Sequence, residues 1–409
     1  MSLPSTLAME EHYQAYFAWK SLGFKNQWCW HVDAHLDIGK TDLGEDKLAR
    51  LIPCADSGAA QRESLLGNSY VPWGGLHCGN YLYPAIREGI VNRLTWVIPP
   101  DLPDGPLLPW ARRHLNGWYE LELQEYASLE VEGERLVGTL LGIPVEIATI
   151  ENLELPAEPV LMDIDLDYFL TEEGNPWWDS GSFQRLVESV PVLYRTVAFS
   201  VMGGFTPTEQ RRLAEAFELP ASGYESGALD QLAGLVRCHK YQQAVDCELS
   251  PDLAEQLEAR FLKGSSLQAL ERNQEALGVW TAMLEEPSLP QGGQAYLHGI
   301  CAELLNAGGL ADEALEHSQR AQKLEPENPL HLFNEAVARE HLGEWRKAEK
   351  ALRKAVKLSE HLLFGLRARY ALSRVYSHTG KEGLANLELK KLAQLDVTGQ
   401  YRPATMLAR

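Results

Sequence analysis

The segment that most narrows what this chain can fold into is a repeat near its C-terminal end. Gly309-x4-Ala314-x6-Ala321-x2-Leu324 recurs 34 residues later as Gly343-x4-Ala348-x6-Ala355-x2-Leu358, with Glu325-Pro326-Glu327-Asn328-Pro329 between the copies. Glycine ends one helix and turns the chain, small residues let two helices cross closely, and proline closes the unit. Such a unit buries its apolar face only against its neighbours, so the repeats predict a stack of paired helices. Ala276-Leu277 and Gly380-x4-Ala385 read as degenerate outer copies, and about four units span 255–397. The pattern is specific for fold and almost silent on chemistry.

Chemistry is concentrated earlier. His31-Val32-Asp33-Ala34-His35-Leu36-Asp37 is answered by Met162-Asp163-Ile164-Asp165-Leu166-Asp167-Tyr168. Strand side chains alternate between faces, so Asp33, His35 and Asp37 are expected to share one face, as are Asp163, Asp165 and Asp167. Both stretches follow apolar residues, Trp28-Cys29-Trp30 and Pro159-Val160-Leu161, which puts the carboxylates at the C-terminal ends of buried strands. Anions gathered there need a counter-charge. A pair of divalent cations supplies one, and Asp/His donors suit hard or borderline ions such as Mn2+. A solvated strand end explains either stretch alone; two in one domain, with a histidine among the carboxylates, favour metal.

Around these stretches apolar runs alternate with helical periodicity. Strands are expected at 5–10, through the first cluster, and at 94–98, 136–140, 144–149, 159–166 and 195–201; helices at 11–22, 81–89, 182–190 and 207–218; and an irregular excursion at 39–70. That alternation predicts an α/β sheet of mostly parallel strands, with ligands outside their carboxyl ends. Beyond about residue 250 the composition turns to Ala, Leu, Glu and Lys/Arg at helical spacing. Two domains, 1–245 and 250–400, suit a chain of 409 residues.

The net charge of −20 is uneven. Residues 1–250 hold 36 Asp/Glu against 17 Lys/Arg, and residues 251–409 hold 21 against 20, so the half with the clusters carries nearly all the excess. Such a surface repels nucleic acid and anionic membranes and favours cations, although acidity also serves plain solubility. No apolar run approaches the ~18 residues of a membrane span, and the N-terminus lacks an export signal's basic-then-apolar pattern. Six cysteines are scattered with no C-x-x-C pair. Reduced thiols and a cytoplasmic location are therefore expected.

Three further residues invite a role. His12 sits at a strand-to-helix junction, His77 in a glycine-bordered turn, and Glu209 in a helix's first turn behind Pro207. Each also has a plain structural explanation, as a helix-end histidine, a loop histidine and a helix-dipole partner.

With those residues placed, the repeats resemble the tetratricopeptide repeat. The first half resembles the arginase/deacetylase (ureohydrolase) superfamily of binuclear manganese hydrolases, in its arginase-like branch that includes bacterial peptide arginases. The superfamily's D-A-H-x-D stands as Asp33-Ala34-His35-Leu36-Asp37 and its D-x-D as Asp163-Ile164-Asp165. Its first histidine ligand matches His12, and the arginase G-G-x-T-x-x-E matches Gly203-Gly204-Phe205-Thr206-Pro207-Thr208-Glu209. The resemblance covers about residues 8–215. It departs at Asp167-Tyr168-Phe169, where an aspartate-proline pair is usual, and it offers only His77 for the shuttle histidine.

The resemblance implies an α/β arginase-like domain with a mostly parallel sheet, followed by an all-α tetratricopeptide-like solenoid. It implies two Mn2+ ions per chain, one held by His12, Asp33, Asp37 and Asp163, the other by His35, Asp33, Asp163 and Asp165. Metal-bound hydroxide steered by Asp37 would attack a guanidinium held by Glu209, with His77 giving the proton. The implied enzyme is a C–N hydrolase converting arginine in a peptide or protein to ornithine with release of urea. No nucleic-acid or membrane partner follows, and self-association through the repeats stays open. The alternatives are a deacetylase or other amidohydrolase acting on acylated amines, and a non-catalytic peptide-binding scaffold.

Overall fold

The computed structural model describes residues 6–39, 69–73, 75–118, 121–178, 180–220 and 226–397. The excursion expected at 39–70 lies almost wholly outside the described residues. The chain divides into two compact units, Met1–Tyr119 with Ser128–Leu270, and Glu120–Ala127 with Glu271–Arg409.

The first unit is built on a sheet of β1 (Thr6–Met9), β2 (Gln27–Val32), β3 (Val91–Val97), β4 (Glu130–Glu132), β5 (Arg135–Leu140), β6 (Ile143–Ala148), β7 (Val160–Asp165) and β8 (Val192–Ala198). Their spatial order is β1-β8-β7-β2-β3-β6-β5-β4. Pairing is parallel from β1 across to β6 and antiparallel only at the β6-β5-β4 edge. The mostly parallel sheet expected from the alternation is present. Trp30, Val32, Met162, Ile164 and Val197 belong to one buried core cluster. Each such side chain contributes about 1.5–3 kcal/mol by leaving water. The opposite face of the same strands brings His31, Asp163 and Thr196 side by side in register.

Strand alternation does not carry through either cluster. β2 stops at Val32, Asp33 to His35 form a bend, and Asp37 takes a left-handed φ of +53°. β7 likewise gives way after Asp165 to a 3-10 turn over Leu166–Phe169. The carboxylates cause both breaks: Asp33 Oδ1 accepts from the His35 amide at 2.7 Å and Asp165 Oδ1 from the Asp167 amide at 3.0 Å. Aspartate bonded to the backbone two residues ahead favours a turn over a strand. The helix expected at 207–218 is a 3-10 segment, Thr208–Phe217, ended by Glu218 at φ +61°. Helix Leu123–Ser128 and β4 escaped the sequence reading.

The division between units falls after Leu270 rather than near residue 250. Helix Leu257–Ala269 belongs with the first unit, where Ala259 and Leu262 join Leu232, Ala233 and Ala244 and Phe261 meets Trp73 edge-on. Residues 121–127 go with the second unit. The Leu123 amide donates to the His361 carbonyl at 2.7 Å, and the Leu123 side chain packs with Leu366 and Leu392.

The second unit is all helical: Asn273–Leu284, Gln291–Ala307, Ala311–Leu324, Pro329–His341, Trp345–Leu358, Leu363–His378 and Glu382–Leu395, each packed on the next. Gly309, Gly343 and Gly380 have φ near +73°, with open space where a side chain would stand. Backbone handedness, not crowding, thus requires glycine at these turns. Ala314, Ala321, Ala348 and Ala355 are fully buried where the helices cross. Among the described residues, no helix is long and apolar enough to cross a membrane.

Candidate metal centre

Three parallel strands and one junction converge on a single buried cluster. β1 ends at Met9, its pairing with β8 continues through the Phe199 and Ser200 amides, and the chain then delivers His12 just ahead of helix Gln14–Ser21. His12 Nδ1 lies 3.1 Å from Asp33 Oδ2, 3.1 Å from Asp165 Oδ2 and 3.5 Å from Asp37 Oδ2. On its other side, Nε2 lies 3.1 Å from Asp163 Oδ1 and 2.9 Å from the Tyr81 hydroxyl. His35 Nδ1 sits 3.0 Å from Asp167 Oδ2 and 3.5 Å from Asp33 Oδ1. Donor atoms within 4.8 Å of one another come from His12, His31 and Asp163; His12, Asp33 and Asp165; His31, Asp33 and Asp37; and Asp33, His35 and Asp167.

Neutral groups hold the carboxylates from behind. Thr196 and Tyr81 hydroxyls donate to Asp163 and the Ser200 hydroxyl to Asp165, while Trp96 Nε1 donates to the backbone carbonyl of Asp33 and fixes its main chain. Two buried atoms are left over. His12 Nδ1 and Asp33 Oδ2 are near neighbours, yet neither makes a hydrogen bond. Unpaired lone pairs in a dry interior cost about 1–3 kcal/mol each unless something binds them. A divalent cation satisfies them and the surplus of carboxylates together, so the donor set fits one.

The same surplus sets the titration of the metal-free protein. Burial works against ionised Asp163, but His12 and His31 outweigh it and hold its carboxyl well below the ordinary range. Asp33 is depressed likewise: burial works against its ionised form, but the nearby imidazoles of His31, His12 and His35 outweigh it. Burial also opposes charge on His12 and His35, and their aspartate partners nonetheless raise both imidazoles. Asp37 is pushed up by burial and by Asp33, and Asp167 to about 8 by burial, Asp165 and Asp33. Too many carboxylates share the space for all to ionise without a cation.

All six residues expected to bind metal, His12, Asp33, His35, Asp37, Asp163 and Asp165, come together here. The sequence reading missed His31 and Tyr81 and left Asp167 without a role. His31 carried a signal, being two residues before Asp33; Tyr81 carried none. The residues expected to act on a substrate stand differently. Glu209 is exposed on its 3-10 segment, and the group whose titration it influences is Cys238, outside the cluster. His77 is turned into its own loop, where Nδ1 accepts from the Gly79 amide at 3.1 Å; burial and then Arg237 lower its pKa to about 4. Gly203 and Gly204 have a packing explanation. Both take positive φ, and a Cβ on Gly204 would stand 2.2 Å from the Gly234 amide nitrogen.

No family model matches this sequence, and no curated protein matches it. Solved structures similar to parts of it include MamA MSR-1 C2, at 16% identity and a TM-score of 0.35, over 41% of this chain and 94% of that one. Another is MamA 41-end from Desulfovibrio magneticus RS-1, at 15% identity and a TM-score of 0.37, over 42% of this chain and 97% of that one. Likeness at this level assigns neither fold nor function. The resemblance to the arginase/deacetylase superfamily is corrected: neither a family model nor a curated relative supports it. The manganese C–N hydrolase falls with it, as do peptidyl arginine as substrate, urea release and the amidohydrolase alternative. The physical reason lies in two elements: the glutamate meant to hold the guanidinium stands exposed, and the paired glycines before it serve backbone packing.

Proposed function

We propose that the chain is a non-catalytic binding protein whose first unit is organised around bound divalent cations and whose helical repeats hold a peptide segment of a partner. The buried cluster carries this reading, above all the unbonded His12 Nδ1 and Asp33 Oδ2 at its centre. His12, Asp33, Asp37, Asp163 and Asp165 would hold cation in the interior, and half-exposed His35 would do so nearer solvent, with His31 and Asp167 completing the shell. Bound cation there neutralises carboxylates that otherwise repel one another, which stabilises the sheet. We take Mn2+, two ions per chain, as the ion to test.

The test is elemental analysis of purified chain together with thermal unfolding during Mn2+ titration. Wild type is expected to hold metal and to melt higher as Mn2+ rises, and Asp163→Asn to lose both effects. A chain that binds no divalent ion, or a melting point indifferent to Mn2+, overturns the metal reading. Urea released from arginine-containing peptides by the metal-loaded chain overturns the non-catalytic one.

A further inference from the structure

On a chain of net charge −20, helix Trp345–Leu358 is an exception. Arg346, Lys350, Arg353, Lys354 and Lys357 are all exposed and, with Lys381, line one groove of about 590 Å³. Their counter-charges are few. Lys381 pairs with Glu349, the one acidic residue in the groove, and Lys354 Nζ reaches the Pro326 carbonyl at 3.4 Å. Among the described residues, no carboxylate pairs with Arg346, Lys350, Arg353 or Lys357. Arg346/Lys350, Lys350/Lys354 and Arg353/Lys357 are like charges four apart, each costing the helix about 0.2–0.5 kcal/mol. A helix that carries this repulsion unrelieved is suited to an anionic ligand from outside.

Spacing selects among polyanions. At 1.5 Å rise per residue, Arg346, Lys350 and Lys354 stand about 6 Å apart along the axis, and Arg346 to Lys357 spans about 16 Å. An extended peptide brings alternate side chains to one face about 6.6 Å apart, so three carboxylates over five residues match the stripe. Duplex nucleic acid presents a charge about every 1.7 Å over a far longer track than this stripe.

We propose that this groove binds an acidic segment of a partner protein, extended and carrying Asp or Glu at alternate positions. The proposal rests on reading the helical repeats as a binding unit and is independent of the metal centre.

Fluorescence anisotropy of the full chain with a labelled (Glu-Ser)4 peptide tests it. Binding is expected, weakening steeply with salt, while a (Lys-Ser)4 control stays free. The exposed triple variant Arg346→Glu, Lys350→Glu, Arg353→Glu is expected to lose at least tenfold in affinity with an unchanged circular dichroism spectrum. No binding to (Glu-Ser)4 overturns the proposal. So does binding that the triple variant leaves intact, an outcome that moves the peptide elsewhere on the repeats and spares the scaffold reading. Tighter binding of single-stranded DNA or of phosphatidylserine vesicles overturns it in favour of those partners. A chain that binds the peptide and no Mn2+ defeats the metal reading alone.

Discussion

The Tyr81 hydroxyl lies 2.9 Å from His12 Nε2, across 69 residues of sequence, and donates its proton to Asp163. Having one proton to give, the hydroxyl accepts from Nε2–H, so that His12, on losing its other proton to bind a cation, presents the Nδ1 lone pair on the side of Asp33 and Asp165. That tautomer suits a metal ligand and nothing else in the cluster. Tyr81→Phe is therefore expected to weaken divalent-cation binding by about 10–100-fold while leaving the fold intact. Calorimetric titration with Mn2+ measures it, and an unchanged affinity removes Tyr81 from the site.

Stability of the metal-free protein should fall as pH rises from about 6.5 to 8. Burial lifts the Glu11 carboxyl from 4.5 to about 7, and burial with two neighbouring aspartates lifts Asp167 from 3.8 to about 8. A folded pKa above the unfolded one gives a contribution that is complete below the unfolded value and lost as pH rises through the folded one. His12 and His35, also raised, add the same sign above 6.5. Asp33 and Asp163, depressed below 3.8, and His77, His114 and His298, lowered by burial to about 4, act oppositely, but their effect is confined below about pH 6.5. Cation binds the deprotonated ligands, so the gain from Mn2+ should grow over the same range. Amide exchange in β2 and β7 at pH 6.5 and pH 8, with and without Mn2+, reads both slopes; a Mn2+ effect independent of pH contradicts this account.

What sequence revealed was decided by how locally each feature is encoded. The repeat turns were legible because Gly309 and Gly343 each answer a backbone requirement within a few residues. Convergence of Asp33 with Asp163 was legible because both stretches end buried parallel strands, and such strands align their carboxyl ends. Tyr81 was not, since its place in the cluster comes from the packing of helix Leu82–Arg87 against β3 and helix Gln14–Ser21 and no local pattern announces it. Gly203-Gly204 misled for the converse reason. A pair of glycines fits a motif whatever its cause, and here the cause is a helix backbone pressed against Gly204.

That close approach gives a sharp prediction. Gly204 has φ +76°, and an added Cβ would stand 2.2 Å from the Gly234 nitrogen and 2.6 Å from the Ala233 carbonyl carbon, backbone atoms that have no rotamer to yield. Gly204→Ala should destabilise the first unit by more than about 2 kcal/mol, adding overpacking to the left-handed penalty. Gly309→Ala, with the same handedness and open space around it, should cost only about 1 kcal/mol. Urea unfolding of the two variants compares them, and equal losses would show that handedness rather than contact governs Gly204.

The segment that delivers His12 is held by Arg211. Its Nη1 donates to Glu10 Oε2 at 2.7 Å, Nη2 donates to the other oxygen, and the guanidinium carbon lies 3.7 Å from the Phe199 ring centroid. A two-pronged pair stacked on an aromatic ring fixes direction as well as charge, and Arg211 is buried. Glu10 keeps some access to water, so the pair is worth less than a fully buried one. Arg211→Ala should cost the first unit about 2 kcal/mol, and Arg211→Lys most of that, because an ammonium cannot reproduce the fork. Glu10→Gln should cost less than either, since an amide oxygen still accepts one of the two bonds. Hydrogen exchange at the β1 and β8 amides reads the loss where it arises. If Arg211→Lys matches wild type there, charge alone holds the segment and the fork adds nothing.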